Sequence, residues 1–76
     1  MVFLTRTDPA KNLRRFYIVR LAPTLFGDWM LWREWGRSGS PGTMRATNFD
    51  RHDEAQKAER RIIKRRFSHG YRERTA

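Results

Sequence analysis

The 76-residue sequence contains no cysteine, and this absence removes several kinds of chemistry. Without thiols the chain has no disulfide and no thiolate nucleophile, and it lacks the cysteine ligands of the common structural zinc sites. A chain without cysteine also fits a reducing compartment, so we expect a cytoplasmic protein. Aromatic residues make up 13% of the chain, which is enough for one compact core.

Long apolar runs are missing as well. Residues 1–5, "MVFLT", are too few for the apolar region of a signal peptide. No segment approaches the roughly 20 apolar residues of a membrane-spanning helix. A chain of 76 residues has room for one domain, and a domain of this size buries only about 60% of its unfolded surface.

Acidic residues are scarce. Eight Asp and Glu face 17 Lys and Arg, which leaves a formal net charge of +9. Such a field attracts polyanions, with nucleic acid as the first class and anionic membrane surfaces as the second. Arginine outnumbers lysine, and its planar guanidinium matches phosphate oxygens better than an ammonium group does. We expect nucleic acid as the partner and no membrane; a purely solubilising role for the charge is the alternative.

Catalytic patterns are missing too. His52, Asp53 and Glu54 are adjacent, but adjacent positions on a helix point in different directions and do not converge on one substrate. Neither histidine has a second metal ligand at helical spacing. The glycines form neither GxxxxGK[ST] nor GxGxxG, the patterns that cradle phosphates of nucleotides. We therefore expect no catalytic residue, no metal and no cofactor.

Alternating side chains and turn residues predict three or four short antiparallel strands. Their ranges are 2–6, 15–21, 29–35 and 44–48, and "PTLFGD" before the third strand is a turn centred on Gly27. In the third strand Trp32 shares a face with Met30 and Glu34, while Trp35 shares the other with Trp29, Leu31 and Arg33. Both faces mix apolar and charged residues, so alternation alone does not identify the buried face.

The hydrophobic period changes to 3.6 residues after residue 49, which predicts a helix. The apolar side of that helix consists of Ala55, Ala58, Ile62 and Ile63, with Phe67 at its edge. Asp50 is the predicted N-cap and Gly70 the C-terminal glycine cap. The expected fold is α+β, a small antiparallel sheet packed against one C-terminal amphipathic helix. We expect a single domain over residues 1–71 and a frayed tail over residues 72–76.

The segment "WREWGRSGSPG" holds the strongest candidate binding residues. Arg33, Trp35 and Arg37 lead into a glycine loop, and Arg45 follows it. An aromatic ring stacks on bases or sugars, and arginine binds phosphate oxygens. The residues alone leave Trp35 open between a core position and a ligand-facing position. The basic side of the helix is better explained as a solvated face that adds long-range attraction.

Trp35, Gly36 and Arg37 spell "WGR", and the chain resembles the WGR domain, a small module of DNA-damage-responsive poly(ADP-ribose) polymerases that also occurs in bacteria. "RFYIVRL", "DWMLWREWGR", "FDRHDEA" and the final "GY" resemble the family's successive elements in the same order. The resemblance covers roughly residues 14–71. It implies the same sheet-and-helix fold and a DNA-binding role.

The resemblance also implies roles for single residues. Trp35 would pack on the sugar at a strand terminus, and Arg37 would lie at the DNA edge and contact neighbouring domains. Arg45 would contact phosphate, and Arg14 would approach DNA before the second strand. Trp32, out of phase with Trp35, is then the better candidate for a structural role. Ser38 departs from the family's usual β-branched apolar residue, so we expect a loop that packs less firmly.

Two classes of function remain. The first is a non-enzymatic module that binds DNA ends, nicks or backbone, with RNA left open because phosphate contacts and stacking do not distinguish the two sugars. The second is a protein-interaction module, in which Arg37 and the basic helix dock an acidic partner and DNA affinity is incidental. Break sensing does not follow from the fold alone, because function lies in sites rather than in folds.

Overall fold

A computed structural model describes residues 1–74, and its strands form one five-stranded antiparallel sheet. The elements in chain order are β1 (Val2–Asp8), a 3₁₀ turn (Pro9–Lys11), β2 (Leu13–Pro23), β3 (Trp29–Arg37), β4 (Thr43–Phe49), α1 (His52–Ser68) and β5 (Arg72–Glu73). The spatial order of the strands is β4-β3-β2-β1-β5. The α+β prediction is confirmed, but the sheet has five strands instead of three or four.

The additional strand, β5, lies where we expected the start of a frayed tail. Arg72 and Glu73 pair with β1 instead, and the Arg74 amide donates to the Phe3 carbonyl at 2.7 Å. The preceding Tyr71 is 6% exposed and packs edge-on against Tyr17. This buried ring anchors the returning chain, so the expectation of an unpaired tail is wrong at Arg72 and Glu73. Residues 75 and 76 lie outside the described residues.

The predicted C-terminal cap of α1 is correct, whereas the predicted N-cap is one residue away from the observed one. The N-cap is Arg51, one residue after the expected Asp50, and the Arg51 side chain makes no capping hydrogen bond. At the other end Gly70 has a φ of +92°, its amide donates to the Phe67 carbonyl, and the Tyr71 amide donates to the Arg66 carbonyl at 3.1 Å. These crossed bonds form a Schellman motif, which needs a residue in the left-handed region. The predicted C-terminal glycine is confirmed.

One face of the sheet is covered by α1, and we call it the helix-side face. The residues buried there are Leu4, Tyr17, Val19 and Leu31 from the strands, Ala55 from α1, and Tyr71. The predicted apolar side of α1 is confirmed, because Ala58, Ile62 and Ile63 pack against this cluster. The core is small, so each full burial, worth about 1.5–3 kcal/mol, is a large share of the total stability.

The opposite face, which we call the open face, has no element of residues 1–74 packed across it. Phe3, Ile18 and Trp32 lie there, and each is partly exposed. Trp35 lies on the helix-side face and packs against the core. Trp35 rather than Trp32 packs against the core, so the expectation that Trp32 is the better structural candidate of the two is not confirmed. Among residues 1–74 no helix has the length and apolar character to cross a membrane.

Candidate nucleic-acid interface

The loop between β3 and β4 is closed by contact between two glycines. A Cβ atom at Gly36 would lie 2.8 Å from the Cα of Gly42, and one at Gly42 would lie 2.9 Å from the Phe16 ring. Real Cβ atoms do not approach other atoms this closely, so both positions require glycine. The Ser38 amide also donates to the Arg14 carbonyl at 2.9 Å, which holds the start of the loop against β2. Gly36 therefore shapes the loop through its backbone, and Ser38 is held by its main chain.

Trp35 is half-buried at the end of β3. Its ring stacks on Tyr17 with a centroid distance of 5.7 Å and an interplanar angle of 15°. The Arg33 guanidinium lies 5.7 Å from the indole centroid. On β4 the residue opposite Trp35 is the small, exposed Thr43. The indole is thus fixed from the β2 side and only lightly screened from the β4 side.

Arginines lie directly opposite each other across the strands. Arg6 pairs with Arg15, and Arg15 pairs with Arg37, which makes a row of three across β1, β2 and β3. A second pair, Arg33 and Arg45, joins β3 to β4. Like charges directly opposite in a sheet destabilise it. This unfavourable arrangement concentrates positive charge on the helix-side face around Trp35.

Acidic side chains do not neutralise this concentration. Within residues 1–74 the only ion pair joins Arg51 and Asp53, at 3.0 Å and at the beginning of α1. The row of arginines lies at the other end of the strands, beside the glycine loop. An arginine without a protein carboxylate keeps its five donors for water or for an added anion.

The C-terminal end of α1 brings further cations to the same place. The Arg66 guanidinium lies 4.6 Å from the Tyr17 centroid, and its buried Nε has no hydrogen-bond partner among residues 1–74. The Nε of Arg6 would be 3.2 Å from a Cβ atom at Gly70, so Arg6 reaches the end of the helix. The negative end of the helix dipole favours cations there. Tyr17 is therefore a neighbour of both the Trp35 ring and the Arg66 guanidinium.

The six predicted site residues divide between the two faces of the sheet. Trp35, Arg33, Arg37 and Arg45 share the helix-side face, and Gly36 contributes its backbone. Arg14 is exposed at the same end of the sheet. Because side chains alternate along β2 and Arg15 shares the face of Tyr17, the Arg14 side chain lies on the open face, opposite Thr7. The structure brings the first four together and leaves Arg14 apart.

Sequence reasoning missed Arg6, Arg15 and Arg66. Arg15 lies two residues before Tyr17 and therefore shares its face, a signal that strand alternation contains. Arg66 follows Ile62 by four residues, which places it on the core side of the helix. The pairing of Arg6 with Arg15 depends on the register between strands, and alternation within one strand does not reveal it.

Two carboxylates at the other end of the strands are held in their charged form. The Thr24 hydroxyl and the Asn48 amide donate to Asp28, and these hydrogen bonds lower the pKa of its carboxyl group below the usual value. A hydrogen bond from Arg51 lowers the pKa of Asp53. Within residues 1–74 no group of three or more His, Asp or Glu is arranged to hold a metal ion.

Comparison with known proteins identifies a family and a relative. The family model of the WGR domain matches residues 1–76. The chain is 34% identical over 73 residues to the uncharacterized protein y4dW of Sinorhizobium fredii, an alignment that covers 96% of this chain and 36% of that protein. The chain thus spans about a third of that relative's length. No solved structure matches the chain.

WGR domains are known as nucleic-acid-binding modules, and neither the family nor the relative indicates an enzyme. The match covers the glycine loop, the half-buried indole and the arginines around it. The chain belongs to the WGR-domain family.

Proposed function

We propose that this chain is a non-enzymatic DNA-binding module that binds duplex ends or exposed backbone. Its binding surface, which we call the arginine–tryptophan surface, consists of Trp35 with Arg33, Arg37 and Arg45, extended by the cross-strand neighbours Arg6 and Arg15. The observation that carries the proposal is the row of directly opposed arginines beside a half-buried indole. Repulsion within this row is relieved when an anion lies across it.

The arginines supply most of the affinity in this proposal. Phosphate oxygens accept charge-assisted hydrogen bonds from guanidinium groups, and each neutralised phosphate releases counterions. The logarithm of the binding constant should therefore fall with the logarithm of the salt concentration, with a slope of about −0.9 per phosphate contacted. Contacts of this kind position the protein without reading base sequence.

Trp35 supplies the preference for ends. Inside a duplex the bases are stacked on both sides, whereas an end or a nick exposes a terminal base or sugar to an aromatic ring. Stacking on such a group contributes about 1–3 kcal/mol. The stack on Tyr17 holds the indole in place before binding, and a ring that is already ordered loses less entropy on association.

The experiment compares ligands of equal length and sequence. Blunt linear duplex, nicked duplex, closed circular duplex and RNA duplex compete with a labelled blunt DNA, and the titration is repeated over a range of salt concentrations. We expect blunt and nicked DNA to compete better than the closed circle. Trp35→Ala should remove that preference and lose about 1–3 kcal/mol of binding free energy.

The matched control is Trp32→Ala, which removes an indole from the open face of the same strand. It should leave the preference for ends intact, and Trp35→Phe, which keeps an aromatic ring, should retain part of it. Thermal unfolding of each variant separates loss of binding from loss of fold. Equal competition by circular and linear DNA, unchanged in Trp35→Ala, would contradict end recognition. If RNA duplex competes more strongly than any of the DNA ligands, the ligand is RNA and not DNA.

An acidic protein is the second candidate partner, docked by Arg37 and the basic side of α1. The observation in its favour is the set of exposed cations on the outer side of the helix, which are Lys57, Arg60, Arg61, Lys64 and Arg65. Affinity capture from source cells after nuclease treatment distinguishes the two candidates. Retention of one acidic protein that Arg37→Glu releases favours protein docking, and loss of all partners favours DNA.

A further inference from the structure

The turn between β2 and β3 exposes two large apolar side chains. Leu25 is fully exposed and Phe26 is 93% exposed, although the chain buries Leu4 and Leu31 almost completely. These two residues are adjacent and form the apex of the turn, which we call the hairpin tip. Contiguous exposed apolar groups on a small soluble domain mark an interaction site more often than single ones do.

The hairpin tip is held by a network of hydrogen bonds. The Thr24 amide donates to the Asp28 carbonyl at 2.9 Å, and the Phe26 amide donates to the Thr24 hydroxyl at 3.1 Å. The Asn48 side chain on β4 donates to the Asp28 carboxylate at 2.7 Å, which ties the turn to the sheet. Gly27 supplies the left-handed backbone at φ +89° that the turn requires. Leu25 and Phe26 are therefore presented by a defined backbone.

The charge around the hairpin tip differs from that of the rest of the chain. No lysine or arginine occurs from residue 21 to residue 32, although the chain has 17 of them in 76 residues. The beginning of α1 reaches the base of the turn, because the His52 ring lies 4.2 Å from the Trp29 ring. Acidic residues gather in this region, namely Asp28, Asp50, Asp53 and Glu54, with Arg51 paired to one of them.

The charge around the hairpin tip disfavours polyanions, which are the ligands proposed for the arginine–tryptophan surface. A polyanion such as DNA, or an anionic lipid surface, is repelled by Asp28 and by the acidic residues at the beginning of α1, and it meets no lysine or arginine among residues 21–32. A second copy of the chain carries a net charge of +9 as well, which opposes self-association. A protein surface with an apolar pocket and a basic rim complements both the exposed side chains and the carboxylates.

We propose that the hairpin tip is a protein-docking site, in which Leu25 and Phe26 enter an apolar pocket of a partner whose rim is basic. The tip and the arginine–tryptophan surface lie at opposite ends of β3, a strand of nine residues. At about 3.3 Å per residue these ends are roughly 30 Å apart. Nucleic acid and the protein partner therefore bind at the same time without competing for one surface.

The first test uses the 76-residue chain with the photo-crosslinking residue p-benzoylphenylalanine in place of Phe26. Irradiation in source cells, followed by nuclease treatment, should give an adduct with a single protein. The same crosslinker in place of Met44, which is 62% exposed on the open face, is the positional control and should not give that adduct. An adduct with DNA, with lipid or with a second copy overturns the proposal, and so does the absence of any protein adduct.

The second test uses the partner protein that the adduct identifies, purified without the crosslink, and measures its affinity for this chain by calorimetry. The double variant Leu25→Ser/Phe26→Ser should weaken binding by about tenfold or more, as removal of an apolar anchor does. Met44→Ser should leave it unchanged, and Glu54→Lys should weaken it because a cation replaces an acid opposite the basic rim. The double variant and Met44→Ser should bind blunt DNA as the unmodified chain does, because neither changes the charge. Equal affinity of the double variant and the unmodified chain overturns the proposal.

Discussion

The two ends of β3 lie in the same sheet but have opposite chemistry. At one end, Arg37 follows Trp35 and lies opposite Arg15, beside a loop that two glycines close. At the other, Leu25 and Phe26 project from a turn that contains Asp28 and whose base is reached by the acidic beginning of α1. The first end should respond strongly to salt and the second weakly, because screening acts on charges and not on apolar contact. A small domain with one core can thus hold two independent surfaces when its strands are long enough to separate them.

The largest expected effect concerns the loop that shapes the arginine end. Gly42→Ala places a methyl group against the β3 backbone and the Phe16 ring. Overpacking of this kind costs about 1–3 kcal/mol, and in a domain of this size each kcal/mol lowers Tm by about 4–8 °C. Thermal unfolding measures the loss, and DNA affinity should fall with it. Ser40→Ala in the same loop is the control, and an unchanged Tm for Gly42→Ala would show that the glycine contact is dispensable.

The second effect separates binding from stability within the arginine row. Arg15→Thr removes the central charge, so the DNA affinity should drop and the salt slope should become shallower by about 0.9. The same change relieves repulsion from Arg6 and Arg37, so the free energy of unfolding should rise by about 0.2–1 kcal/mol. Anisotropy titrations and denaturant unfolding check the two halves. Arg60→Thr on the outer side of α1 is the control. If Arg15→Thr lowers the free energy of unfolding as well as the DNA affinity, the row is not kept for binding at the expense of stability.

The third effect tests the turn at the opposite end through pH. The folded-state pKa of Asp28 is lowered, so its contribution to stability is fully present above the unfolded value of about 3.9 and is lost as pH falls through the folded pKa. Asp28→Asn should therefore lower Tm near neutral pH, and the gap to the unmodified chain should narrow below about pH 4. Differential scanning fluorimetry at several pH values measures it, with Glu34→Gln as the exposed-carboxylate control. A gap that widens in acid would rule out this account of the turn.

The smallest effect is the most telling for the hairpin tip. Leu25→Ser and Phe26→Ser remove side chains that are almost fully exposed. The free energy of unfolding, measured by denaturant titration, should therefore change by no more than about 0.5 kcal/mol, as for ordinary surface substitutions. A marked loss of stability would mean that these side chains serve the fold of the isolated chain. A neutral result would leave docking as the reason for two apolar residues at the apex.

Much of the fold is readable from the sequence, because alternation and helical period are properties of single segments. The partition of β3 into a Trp32 face and a Trp35 face is an example, and so is the glycine that ends α1. β5 was not predicted, since a two-residue strand has no period and depends on the buried Tyr71. The cap of α1 fell one residue away, at Arg51, because this N-cap makes no side-chain capping hydrogen bond.

The candidate site was only partly readable for a related reason. The "WGR" letters identify Trp35, Gly36 and Arg37, but the charge row depends on which residues lie opposite one another in neighbouring strands. Arg6 and Arg15 are unremarkable in their own segments and meet only through the register of β1 with β2. The contact between Gly36 and Gly42 likewise arises from the path of the loop in space.

The return of the chain in β5 has a consequence for how the domain can be joined to other polypeptides. Because Glu73 pairs with Leu4, the first and last strands are neighbours at the sheet edge farthest from β4. The beginning of β1 and the end of β5 therefore lie side by side at this edge of the sheet. A domain whose first and last strands are paired can be inserted between two segments of a longer polypeptide.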